Sequence, residues 1–179
     1  MNLEQIRLDF APEHDRLLMR IASGDQHELL FWLTRRCVKL LWPLLVKMIE
    51  SVPRIAQQPL PEARQALLGM EREQALAKAN FSRAYNATGR ERPLGAEPVL
   101  VARLNTGRNE QGKHVLVLLP QQGQGVTLTI DDTMLHGLCK LLQDVVAKAE
   151  WDMALTLPTG PAAGGAEAAP RLLNKECLT

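Results

Sequence analysis

Aromatic side chains are scarce: Phe, Trp and Tyr make up 4% of the 179 residues, although 46% are hydrophobic. Leu, Val, Ile and Ala must therefore supply most of the core. Cysteine is scarcer still. Cys37, Cys139 and Cys177 are too few and too scattered for a disulfide framework, which fits a reducing compartment. The longest apolar region, Leu29 to Ile49, is broken by Arg35, Arg36, Lys39 and Lys47, and a membrane span tolerates such charges poorly. The first ten residues carry Glu4, Arg7 and Asp9 in place of the apolar stretch of a signal peptide. The expectation is a cytoplasmic protein with no membrane association.

Chemistry-bearing motifs are missing as well. Neither GxGxxG nor GxxxxGK[ST] occurs, so no glycine loop is shaped for phosphate. His136 and Cys139 stand one helical turn apart, but zinc takes three or four ligands, and His14, His27 and His114 belong to separate elements. No zinc-finger spacing, aromatic RNA-recognition pair or helix-turn-helix is visible. No catalytic set, metal or cofactor is expected.

What the chain does contain is the composition of a globular protein. A chain of this length buries roughly two thirds of its unfolded surface, enough for a core without staples. Net charge is +1 but unevenly spread: residues 1–34 hold three basic and six acidic side chains, and residues 35–92 hold eleven and five. Either these segments neutralise one another in the fold, or the basic segment is offered to a polyanion.

Period-two alternation at Ile6, Leu8 and Phe10, and again at Leu17, Met19 and Ile21, predicts a strand hairpin. Asp25 with Glu28 matches a capping box and predicts a helix from there to about Glu50, kinked at Pro43. Pro61 suits the first turn of a second helix running to Asn86. Alternation from Val99 to Leu104, from His114 to Leu119 and from Val126 to Ile130 predicts three strands. Asp131 or Asp132 then caps a last helix ending near Trp151. The resulting fold class is α+β: a mostly antiparallel sheet of about five strands packed by three helices. It forms a single domain over residues 1–157. Its halves, 3–50 and 98–151, share a strand-meander-then-helix plan, with a helical insertion at 60–88. Residues 158–179, rich in Pro, Gly and Ala, form a flexible, disordered tail.

The helical faces point to function. On the first helix, Leu30, Leu33, Cys37, Leu40, Leu41, Leu44, Leu45 and Met48 cover most of the circumference, which places it in the core and also permits a dimer interface. Trp32, Arg35, Arg36 and Lys39 share its polar sector, where guanidinium groups can stack on an indole and hold phosphate or an acidic peptide. Arg83, Tyr85, Arg90 and Arg92 form a second basic patch with one aromatic. On the second helix Ala63, Leu67, Met70, Ala77, Phe81, Ala84 and Tyr85 form a stripe that packs on the domain or on a second copy. The first reading is a non-catalytic adaptor or complex subunit that self-associates or binds another protein through apolar helical faces. The alternative is nucleic-acid binding by the basic segment. A weaker alternative is a thiol-dependent enzyme using Cys37 or Cys139.

Overall fold

A nine-residue strand, β1 (Leu3–Ala11), opens the fold. A single 3-10 turn, Pro12–His14, leads through Asp15 at φ 47° into β2 (Arg16–Ser23). Aspartate tolerates this left-handed conformation better than most residues. The hairpin pairs Ile6 with Ile21, Leu8 with Met19 and Phe10 with Leu17. Leu17, Met19 and Ile21 are buried, as their alternation predicts.

The next segment departs from the expectation. Glu28–Leu33 is not the first turns of a helix but a third strand, β3, antiparallel to β2. Five of its six residues are buried. A strand covered on both faces loses its alternation and reads like a buried helix. The helix starts later: Thr34 is the N-cap, its Oγ1 accepting from the Cys37 N–H at 3.1 Å, and α1 covers Arg35–Glu50 with Pro43 inside its run.

Prolines open the next two helices, α2 (Pro53–Ala56) and α3 (Pro61–Lys78), at positions where the missing N–H has no helical partner to lose. The second long helix thus stops eight residues short of Asn86. The expected strand from Val99 to Leu104 is divided. β4 (Val99–Leu100) runs parallel to β3, and β5 (Arg103–Arg108) belongs to another sheet. The chain crosses between them at the buried pair Val101 and Ala102, whose N–H groups donate to Trp32 O and Leu119 O respectively. β6 (His114–Leu119) and β7 (Val126–Ile130) complete an antiparallel meander with β5. Asp131 caps α4 (Asp132–Lys148), its Oδ1 accepting from the Met134 N–H at 2.7 Å.

The class is α+β; among the described residues there are eight strands in two four-stranded sheets, β1-β2-β3-β4 and β7-β6-β5-β8, instead of one sheet of about five, and four α-helices instead of three. The computed structural model describes residues 3–79, 81, 83–86, 88–157 and 175–176. Of the segment expected to be a flexible tail, Lys175–Glu176 form β8 beside β5; residues 158–174 and 177–179 lie outside the described residues.

One buried apolar cluster spans both sheets and the inner faces of α1 and α4. α4 packs against β1, α1 against β5, and the two helices against each other. The wide apolar face of α1 is consumed here: Cys37, Val38, Leu41, Trp42, Leu44, Leu45, Met48 and Ile49 are all buried. Among the described residues, no helix is long and apolar enough to cross a membrane.

Two histidines are buried with the core, His114 and His136. Burial first, then a nearby arginine (Arg108 for His114, Arg72 for His136), lowers both pKa values below that of a free imidazole. In the unfolded chain they titrate near pH 6.5. Protonation therefore favours the unfolded state. The stability conferred by the neutral rings is present above about pH 6.5 and is lost as pH falls below it. Urea midpoints should decline from about pH 7 to 5, and His114→Asn with His136→Asn should flatten that decline. An unchanged slope in the double variant would assign acid sensitivity to other groups.

Candidate interaction surface

The two basic–aromatic clusters sit at opposite ends of β3. At one end, Trp32 is half-buried in the strand, opposite Leu18 and Leu100, with its ring edge-on to His14 at 5.1 Å. It is therefore not in the polar sector of α1. Arg35 opens α1 and turns to Asp15: Nε lies 2.9 Å from Oδ2, and the guanidinium sits 5.4 Å from the centre of the Trp151 ring. The Trp151 indole N–H donates to the other Asp15 oxygen at 2.8 Å. Hydrogen bonds from Arg35 and then Trp151 hold the Asp15 carboxyl below its usual pKa. Arg36 and Lys39 are exposed on α1.

At the other end, about 13 Å along the strand from Trp32, Glu28 is 1% exposed, and its Oε2 receives Arg92 Nε at 2.8 Å. Arg90 is buried beside it and donates to Ser23 O at 2.5 Å, to Glu4 Oε2 at 2.8 Å and to Asn86 O at 2.8 Å. Tyr85 is half-buried, and burial followed by the Glu28 carboxylate raises its hydroxyl pKa well above the ordinary value. Arg83 is exposed. Three acidic residues of the N-terminal segment, Glu4, Asp15 and Glu28, thus meet three arginines of the basic segment, Arg90, Arg35 and Arg92. Arg54 is paired with Glu71.

The thiols are sequestered. Cys37 and Cys139 are both buried, and burial pushes the Cys139 thiol up to about 12. That is the opposite of the shift that activates a nucleophile. Among the described residues no three His, Cys, Asp or Glu side chains gather as a metal site.

The outward face of α3 is different in kind. This 18-residue helix buries only Ala75. It packs on α4 and α2 through the side that carries Leu68, Arg72 and Ala75. On the opposite side Ala63, Ala66, Met70 and Ala77 fall within about 40° of one line. Met70 is 55% exposed, and Leu60 and Phe81, which flank the helix, are 62% and 49% exposed. Phe81 also lines a groove of about 510 Å³ with Ile6, Leu8, Met134 and Leu138, between β1 and α4. No family model matches the chain, and neither curated proteins nor solved structures give a match.

Of the stripe expected on the second helix, Ala63, Leu67, Met70 and Ala77 lie on α3, whereas Phe81, Ala84 and Tyr85 follow its end at Lys78, and sequence reasoning did not single out Leu60, Met70 and Phe81 as a group. Their spacing about the helix centre is the signal: Leu60 and Phe81 lie ten and eleven residues either side of Met70.

Proposed function

We propose that this chain is a non-catalytic assembly subunit that pairs with a second copy of itself through the outward face of α3. The carrying observation is the exposure of Leu60, Met70 and Phe81 along one helix and its flanks. Isolated exposed apolar residues are ordinary; what supports an interaction surface is that three large ones stand before, within and after one helix that buries a single residue.

The face is self-complementary. Two copies of α3 crossing antiparallel at Met70 set Ala63 opposite Ala77 and bring Leu60 of one chain toward Phe81 of the other. The same arrangement sets Glu62 opposite Lys78, an opposite-charge pair made twice by the two-fold axis. The alanines let the two helix backbones approach closely.

The nucleic-acid reading has less support. Arg35, Arg90 and Arg92 are ion-paired to the acidic segment and Arg54 to Glu71 within the basic one, so part of the basic charge is neutralised within the chain. Nor do buried thiols favour an enzyme. Sedimentation velocity over a concentration series tests the proposal: the mass should approach twice 19.9 kDa as concentration rises. A single monomeric species throughout would overturn it.

A further inference from the structure

A second cavity, of about 200 Å³, lies on the inner side of α3, between it, α1 and α4. Its walls are mostly apolar: Val46, Ile49, Leu68 and Leu157. Arg72, His136, Gln65 and Glu50 also line it. His136 is 4% exposed, and its Nδ1 has no hydrogen-bond partner among the described residues. Arg72 donates one hydrogen bond, from Nη2 to Gln143 Oε1 at 2.8 Å. It makes no ion pair among the described residues, although the exposed Glu50 lies at the rim.

An apolar cavity of about 150 Å³ takes up benzene. This one therefore has room for one ring or branched chain with a small polar head. We propose that the cavity binds a small monocarboxylate with an apolar body, its carboxylate accepting hydrogen bonds from Arg72 beside the His136 ring. A single guanidinium, with Glu50 at the rim and Asp132 near His136, suits one negative charge and disfavours a dianion such as phosphate. The site is independent of the outward face of α3. Arg72 and Leu68 point inward, away from Met70.

The experiment follows the His136 ring resonances of the full chain by NMR during titration with benzoate, and separately with toluene, its uncharged counterpart in size. Benzoate should give a saturable shift. Toluene should bind at least about tenfold more weakly, as should benzoate in Arg72→Met, since a hydrogen bond to a charged group contributes about ten- to a hundredfold in affinity. Gly69→Leu is the second variant. Gly69 is an exposed part of the lining, and no atom lies within 4 Å of a Cβ placed there, so the added side chain is accommodated at the mouth and should weaken the shift by obstructing entry. The proposal fails if benzoate gives no saturable shift, if toluene binds as well as benzoate, or if Arg72→Met leaves benzoate affinity unchanged.

Discussion

Arg92→Met should destabilise the fold by about 3 kcal/mol, because it strands a buried carboxylate. Glu28 opens β3 at 1% exposure and, among the described residues, owes its only side-chain ion pair to Arg92. Its other oxygen, Oε1, has no hydrogen-bond partner within 3.5 Å among the described residues, and the neighbouring Tyr85 hydroxyl is a neutral donor that cannot replace the charge of the guanidinium. Arg92 itself is 40% exposed, which places the effect at the lower end for broken buried pairs. Urea denaturation should show a lower midpoint with an unchanged slope. Combining Arg92→Met with Glu28→Leu should recover most of the loss, since removing both partners leaves no uncompensated charge. A loss below about 1 kcal/mol in Arg92→Met would mean that water reaches the Glu28 carboxylate.

Met70→Asp combined with Phe81→Asp should separate association from folding. Both side chains are about half exposed in the single chain, and such surface changes typically alter stability by no more than about 0.5 kcal/mol. Across the proposed interface Met70→Asp sets two carboxylates face to face at the two-fold axis, and Phe81→Asp sets a charge against the apolar Leu60 of the second copy. Losing an interface anchor costs about 2 kcal/mol or more, which is about 30-fold in the dissociation constant. The double variant should sediment as a monomer and keep the wild-type circular dichroism and melting temperature. A variant that remains as associated as the wild type would move the contact away from α3.

The sequence made the local, periodic features readable. The β1–β2 hairpin follows from strict alternation, and the Asp131 cap and the body of α4 follow from a polar residue set before an amphipathic run. The start of α1 was not readable. Glu28–Leu33 lies with apolar side chains on both faces of its strand, and Asp25 with Glu28 imitates a capping box, so periodicity favoured a helix and carried Trp32 into the wrong sector. The true cap, Thr34, lay nine residues on. Long-range pairing was equally hidden: nothing in the local pattern links Glu4 to Arg90 or Glu28 to Arg92, across 86 and 64 residues. Those contacts turn an apparent basic patch into a polar strut of the fold. The stripe on α3 was legible as a stripe, but which side faces the domain is decided by α4 and α2, which pack on Leu68 and Ala75.

The most direct test of the α3 pairing places a thiol on its proposed axis. In a chain carrying Cys177→Ser and Met70→Cys, an antiparallel contact centred on residue 70 sets the two new thiols against each other, within the short Cα separation a disulfide requires. Cys37 and Cys139 are buried and should not interfere. Under mild oxidation Met70→Cys should form a covalent dimer rapidly, far ahead of a control with Lys148→Cys on the exposed last turn of α4. Equal, slow cross-linking at the two positions would mean random collision, and would contradict the assignment of this face as the contact between copies.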